Sequence, residues 1–163
     1  MADVFSQDKR SKIMSLIKGK ETQPEILVRR YLFSRGFRFR KNDVRLPGKP
    51  DIVLPKYGIV VFVHGCFWHG HSCSKGSKLP KTRVEFWKDK INSNITRDRI
   101  NNEKLEAAGW KVIVLWDCEI KSKIKREERL KLLVNQIISN NVRIYPDSCH
   151  DSPLFLGGSL EDD

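Results

Sequence analysis

The sequence lacks long hydrophobic runs. No run approaches the ~20 apolar residues that a membrane-spanning helix needs, and the first residues, MADVFSQDKRSK, lack the apolar middle of a secretory signal. We therefore expect a cytoplasmic protein with no membrane partner. At 163 residues the chain also has no room for a second catalytic unit. We expect one domain over residues 1–140 and a flexible tail over residues 141–163, which are rich in Pro, Ser, Gly and acidic residues.

Acidic residues are the minority among the charged ones. Lys and Arg number 31 against 20 Asp and Glu, which gives a formal charge of +11. Such a field attracts polyanions before any contact forms, so nucleic acid is the first expected partner. A basic protein without a nucleic-acid role is the alternative that charge alone leaves open. Residues 1–20 are expected to form a basic DNA-contacting arm, with a short helix over 7–18 along a phosphate backbone.

The hydrophobic periodicity predicts strands and helices in alternation. A capping-box pattern opens a helix at Thr22, and Gly36 ends it. The remaining predicted elements are strands over Phe37–Arg40, Asp51–Leu54, Ile59–Val63 and Trp110–Trp116, a helix over 84–108 with a break near Asn92–Asn94, and a helix over Arg126–Ile138. This order predicts an α/β fold, a mixed β-sheet with helices on its faces.

Cysteine is scarce, but three of the four cysteines have metal-ligand neighbours. The segment from His64 to Cys73 packs three histidines and two cysteines into ten residues, and Cys118 follows a separate strand. Zinc prefers four thiolate or imidazole ligands in a tetrahedron. We assign Cys66, His71, Cys73 and Cys118 to a structural Zn²⁺ site and leave Cys149 unligated. Ordinary buried cysteines are the alternative.

Asp51 and the two remaining histidines are candidates for catalysis. Asp51 starts a strand after a Gly-Lys-Pro bend, where its carboxylate could hold a hard cation; a turn or cap role is the common alternative. His64 and His69 could activate water or stabilise a phosphorane, as phosphodiester hydrolysis beside Mg²⁺ requires. Glu25 fits either the capping box or a place beside Asp51.

Phe67 and Trp68 stand between expected metal ligands. Aromatic side chains on a metal-tied surface loop of a basic protein suggest stacking on bases or wedging between them. Packing over the zinc is the alternative.

Several separated motifs together resemble the very short patch repair (Vsr) endonucleases. They are Pro47–Asp51, Val63–Cys73, Arg83–Trp87, Lys90–Asn94, and Gly109 through Trp116 to Cys118. The resemblance covers roughly residues 7 to 140. It implies a restriction-endonuclease-like core that recognises a T:G mismatch, left when 5-methylcytosine deaminates, and nicks the DNA 5′ of the mismatched T with Mg²⁺.

The resemblance also implies residue roles. The Mg²⁺ ligands would be Asp51 and the backbone carbonyl of Val63, with His69 as general base, His64 as a second catalytic histidine and Glu25 assisting. The zinc positions match the four residues assigned above. The residues implied to intercalate or to lie near the mismatched pair are Met14, Phe67, Trp68, Lys90 and Asn94.

The resemblance further implies a monomer associated with the bacterial nucleoid and a functional link to a DNA cytosine-5 methyltransferase and the repair machinery. Two departures stand out. Val63 occupies a position where the family more usually has threonine. Around Gly70 and Ser72 the family is often richer in histidine, and the loop from Ser74 to Thr82 differs in sequence.

Two alternative functions remain at this stage. One is a restriction-type endonuclease that cuts a duplex without a mismatch. The other is a zinc-stabilised DNA-binding module without catalysis, in which Asp51 and the histidines are structural.

Overall fold

The structure, a computed structural model, describes residues 6–16, 19 and 21–140, apart from the side chains of Gln7, Arg10 and Met14. The tail over 141–163, with Cys149, lies outside the described residues. The elements are, in chain order, α1 (Gln7–Ser15), α2 (Gln23–Ser34), β1 (Arg40–Lys41), β2 (Ile52–Leu54), β3 (Ile59–His64), α3 (Val84–Ala107), β4 (Lys111–Trp116), α4 (Asp117–Ile120) and α5 (Lys123–Ser139). In this part of the chain no helix is both long and apolar enough to cross a membrane.

The four strands form one mixed sheet in the order β1-β2-β3-β4. The β1–β2 and β2–β3 pairs are antiparallel, and β3–β4 is parallel in a register that runs from Ile59↔Lys111 to His64↔Trp116. Parallel neighbours need a crossover, which α3 supplies. Every residue of β3 is buried, as its continuous apolar run predicted. The predicted mixed sheet flanked by helices is therefore confirmed.

Apolar clusters cover both faces of the sheet. On one face, residues of α2 and α5 pack on alternate residues of the strands, with Leu32, Val61 and Leu133 among the fully buried members. On the other face, Leu105 of α3 packs with Val60 and neighbouring residues. Successive side chains of each strand point alternately into the two apolar clusters. Because both faces are buried, the register of β3 is fixed.

One edge of the sheet collects the polar residues. The parallel strands β3 and β4 both end there, at His64 and Trp116. Strand β2 is antiparallel to β3, so its start, just after Asp51, lies at the same edge. The long connection over residues 65–83 leaves from this edge and contains no helix or strand.

Two secondary-structure predictions were wrong. The predicted strand over Phe37–Arg40 begins only at Arg40, because the Phe37 N–H donates to the Leu32 carbonyl (3.1 Å) and its side chain enters the core. The predicted break near Asn92–Asn94 is absent from α3. There the Asn94 amide binds the Trp68 carbonyl (2.8 Å) instead of competing for the helix backbone.

Candidate active site and metal centre

The structure gathers the four residues assigned to zinc into one cluster. One ligand atom from each of Cys66, His71, Cys73 and Cys118 lies within 4.8 Å of the others, with Cys118 Sγ 3.5 Å from His71 Nδ1. Three come from the 65–83 connection, and Cys118 comes from α4, directly after β4. Three sulfurs and one imidazole nitrogen at these separations suit a tetrahedral Zn²⁺ with no open position.

The three thiols of the cluster differ in how readily they ionise. Burial and the neighbouring thiols raise the pKa of Cys118 to about 12, and burial raises the pKa of Cys66. The Gly76 N–H, 3.4 Å from the sulfur, helps to lower the pKa of Cys73 to about 6. Crowded thiols cannot all ionise together without a positive charge among them, and a bound metal supplies that charge.

Asp51 is a partly buried carboxylate at the sheet edge. Its Oδ2 accepts a hydrogen bond from the Val63 N–H (2.7 Å). Burial raises the pKa of Asp51 to about 6; the Val63 bond opposes this shift, and the nearby Glu25 adds to it. A carboxylate that is costly to ionise in the protein alone gains most from a cation placed beside it.

The backbone of Val63 faces the same carboxylate. The register pairs Ile52 with Val61, so the residue opposite Val63 would be Pro50. Proline has no N–H to donate. Because the N–H and C=O of one strand residue point the same way, the Val63 carbonyl faces the side on which Asp51 lies. The Val63 carbonyl therefore receives no hydrogen bond from the backbone of residue 50, and it lies next to the Asp51 carboxylate.

His64 and His69 stack face to face, with ring centroids 3.8 Å apart and planes 5° from parallel. His64 is buried, and burial together with His69 lowers its pKa to about 4, so it is neutral at pH 7. His69 Nδ1 is hydrogen-bonded to Asp98 Oδ2. Burial opposes ionisation of Asp98, but the bond from His69 and the charges of His69, His64 and Arg97 together outweigh it and lower its pKa. The pair orients His69 and leaves its Nε2 available as a base.

Asp98 was missed by the sequence analysis. It lies on α3, one turn after Asn94, and both side chains reach the loop that follows β3. The available signal was the four-residue spacing, which puts two polar residues on the same side of a helix as inward-facing Ile91 and Leu105. Only the crossover of α3 against the sheet shows that this side meets His69.

Glu25 is buried and fully engaged. Its carboxylate accepts bonds from the Thr22 hydroxyl (2.7 Å) and the Glu21 N–H (2.9 Å), and it pairs with Arg29 at 3.2 Å. The predicted reciprocal capping box is therefore wrong in detail, since the Thr22 side chain binds the carboxylate instead of a backbone N–H. Arg29 also donates to the Asp51 carbonyl at 3.2 Å, so Glu25 acts on Asp51 through Arg29 and through its own charge.

Phe67 and Trp68 belong to a half-buried aromatic cluster. They contact each other edge to face at 5.2 Å, and both contact Trp87 of α3, at 5.5 and 6.0 Å. Trp87 was not singled out from the sequence. The rings of this cluster are partly exposed.

The other residues expected to contact DNA have different surroundings. Lys90 is exposed on α3, whereas Asn94 is buried and tied to the Trp68 carbonyl. Met14 lies in α1, and its side chain is outside the described part.

Gly70, one of the departures from the family pattern, has a local explanation. Its φ is +64°, and a Cβ there would lie 2.6 Å from the Cδ1 of Ile95. The left-handed backbone and the close approach of Ile95 both favour glycine at this position.

One cleft of about 900 Å³ unites the catalytic candidates. Its lining includes Glu25, Asp51, Val63, His64, His69 and Asp98, together with Asn42, Lys49 and Arg97. Carboxylate and carbonyl oxygens for a hard cation stand beside an oriented imidazole. This arrangement suits the hydrolysis of a phosphate ester.

Comparison with known proteins agrees with this chemistry. The matching family model is described as DNA mismatch endonuclease Vsr and covers residues 2–75. The type II nicking enzyme V.NmeAIP of Neisseria meningitidis is 56% identical over 137 residues, 84% of this chain and 97% of that protein. The type II nicking enzyme V.XorIIP of Xanthomonas oryzae is 44% identical over 83% of this chain and 98% of that protein. DNA mismatch endonuclease Vsr of Escherichia coli is 42% identical over 77% of this chain and 80% of that protein.

The fold, the cleft and these relatives define a hydrolase, a DNA endonuclease. More particularly, the chain belongs to the Vsr family of DNA mismatch endonucleases.

Proposed function

We propose that this endonuclease nicks one strand of a T:G-mismatched duplex, 5′ of the mismatched T, in very short patch repair of deaminated 5-methylcytosine. The observation that carries the chemical part is that Asp51 and the stacked His64 and His69 line one cleft. The mismatch part rests on the motif resemblance and on the name of the E. coli relative.

In this proposal Asp51 and the Val63 carbonyl hold Mg²⁺, which when bound polarises the phosphoryl oxygen and neutralises developing charge. His69 takes the proton from the attacking water at Nε2, and Asp98 holds the ring in the required tautomer. His64, neutral at pH 7, contributes a hydrogen bond beside the scissile phosphate. Glu25 fixes Arg29, which in turn holds the Asp51 backbone.

We assign the Cys/His cluster to a structural Zn²⁺ that holds the 65–83 connection in place. The aromatic cluster would then present Phe67 and Trp68 for insertion beside the mismatch, with Met14 entering from the other groove and Lys90 and Asn94 near the mismatched pair. The basic arm over 1–20 would bind phosphates, and the enzyme would act as a nucleoid-associated monomer linked to a cytosine-5 methyltransferase.

The test uses strand-labelled duplexes that carry T:G, T:A or C:G at one position, incubated with Mg²⁺. We expect a single nick 5′ of the mismatched T and intact paired controls. Several relatives are named type II nicking enzymes, which favours a second candidate, a nicking enzyme that needs no mismatch. Equal nicking of all three duplexes would establish that candidate instead.

Removal of the proposed general base, His69, should reduce the rate of nicking without weakening DNA binding. His69→Ala is expected to lower kcat by about 10²- to 10⁴-fold, the usual contribution of a general base. Asp98→Ala should give a smaller loss of kcat, because the imidazole remains but loses its orienting partner. Steady-state kinetics on the mismatched duplex measures both, with Asp89→Asn, exposed on α3, as the control. Full activity in Asp98→Ala would contradict the role given to the pair.

The Mg²⁺ requirement should depend on pH. Only ionised Asp51 can bind the cation, and its pKa is raised to about 6. Below that pH, protons compete, so the Mg²⁺ concentration for half-maximal nicking should rise about tenfold per pH unit. Mg²⁺ titrations at pH 5, 6, 7 and 8 measure this, and higher Mg²⁺ should restore part of the rate at pH 5. An unchanged Mg²⁺ requirement from pH 5 to 8 would refute Asp51 as the ligand.

A further inference from the structure

Residues 42–49, in the connection between β1 and β2, form one rim of the cleft, and we call them the rim loop. Within the rim loop, the Asp43 carboxylate forms several hydrogen bonds. This buried carboxylate accepts bonds from Arg45 Nε (2.8 Å), Arg45 Nη2 (2.6 Å) and the Arg45 backbone N–H (3.1 Å). The bidentate pair lowers the pKa of Asp43 to about 2. A bidentate charged pair adds geometric specificity, so it fixes the local turn from Asp43 to Arg45.

Both ends of the rim loop are tied to the catalytic edge. Asn42 accepts a bond from Arg29 Nη2 (3.2 Å), and Arg29 also holds the Asp51 carbonyl. At the other end, a Cβ on Gly48 would lie 3.2 Å from both Asn101 of α3 and the Phe62 ring. The rim loop is therefore held in a fixed position relative to Asp51.

This rigid loop presents Val44 at the mouth of the cleft with 73% of its surface exposed. Exposure alone carries little weight, because single apolar residues on a surface are common and Ile124 on α5 is 74% exposed. Val44 differs from Ile124 in lining the same cleft as Asp51 and His69. Lys49, also exposed on this lining, has a left-handed φ of +52° without being glycine. Such backbone strain persists where the surrounding structure holds it, often at functional sites.

We propose that the rim loop is a DNA-positioning element: Val44 packs against a deoxyribose next to the scissile bond, and Lys49 binds an adjacent phosphate. Arg97 and Asn101 of α3 also line this cleft and would lie along the same DNA strand. A sugar offers an apolar C–H face and a phosphate offers a charge, so an apolar side chain beside a lysine matches one nucleotide step of backbone. Such contacts set position and carry no base information.

The inference rests on the endonuclease activity, and its test separates the two. Val44→Asp puts a negative charge where the sugar-phosphate strand would lie and should raise the KM for duplex DNA about tenfold, with kcat at saturation nearly unchanged. The conservative variant Val44→Ile, which keeps an apolar side chain, should have the wild-type KM. Ile124→Asp is the matched control, equally exposed but on α5, and should leave KM unchanged. Melting temperatures of all variants should equal that of the wild type, because Val44 has little burial to lose.

Lys49→Ala gives an independent readout. Removal of one phosphate contact should reduce the slope of log affinity against log salt by about one, and ethylation interference should lose one phosphate next to the nick. Binding measured without Mg²⁺ tests the rim loop even if no duplex is nicked. Wild-type KM and wild-type binding for Val44→Asp would overturn the proposal and leave the proposed function standing. If the salt dependence of binding by Lys49→Ala has the wild-type slope, Lys49 is not part of the DNA-positioning element.

Discussion

Replacing Asp51 by asparagine is expected to abolish nicking while DNA binding persists. The amide keeps the shape and can still accept the Val63 N–H bond, but it carries no charge to hold a divalent cation. Loss of metal-assisted charge stabilisation is worth several kcal/mol, so kcat should fall by about 10³-fold or more. Single-turnover nicking and gel-shift binding with the same mismatched duplex measure the two effects.

The matched control is Glu127→Gln, which neutralises an exposed carboxylate on α5. It should nick at the wild-type rate. Persistent nicking by Asp51→Asn would show that Asp51 is structural, while loss of both binding and nicking would leave the DNA-binding-module alternative open.

The same substitution should stabilise the metal-free protein at neutral pH. Because folding raises the pKa of Asp51 from 3.8 to about 6, ionisation costs stability as the pH rises through that range. The uncharged amide of the Asp51→Asn variant would escape this cost, which is at most about 3 kcal/mol for a shift of that size. Thermal melts without Mg²⁺ should therefore show Asp51→Asn above wild type at pH 7.5 and level with it below about pH 4. A variant less stable than wild type at pH 7.5 would mean that the carboxylate is already paired in the fold.

Removal of metal from the Cys/His cluster should have the second large effect, a strong loss of stability. The 65–83 connection contains no helix or strand, and Cys118 joins it to the first turn after β4. Structural zinc contributes about 10–16 kcal/mol in small zinc-folded peptides, so even a fraction of this is a large part of the stability margin of a typical domain. Metal analysis should find one Zn²⁺ per chain, and chelation should lower Tm and abolish nicking.

Cys118→Ser tests the same point without a chelator. It should lose zinc and melt at lower temperature, because a hydroxyl is a poor replacement for a thiolate. Cys149→Ser is the control, since Cys149 was left unligated in the sequence analysis and lies outside the described residues. An unchanged Tm after verified removal of zinc would contradict the structural assignment.

Both predictions concern the same sheet edge, which explains why the cluster and the cleft depend on each other. His69 and His71 are two residues apart on the connection that Cys66 and Cys73 hold. If the cluster opens, His69 loses the position in which it stacks on His64 and meets Asp98. Loss of zinc should therefore remove activity before the rest of the fold melts, which a comparison of nicking and circular dichroism during chelation can measure.

The sequence by itself determined what depends on composition and local spacing. The apolar run from Ile59 to Val63 predicted a buried strand, and the density of Cys and His after it predicted three members of one cluster, because these signals lie in neighbouring residues. Only the tertiary structure decided the contacts between residues that lie far apart in the sequence. The crossover of α3 brings Asp98 to His69 from 29 positions away, and the antiparallel register sets Pro50 opposite Val63. Packing of the helices and the register of the sheet fix these meetings, and no local pattern of residues encodes them.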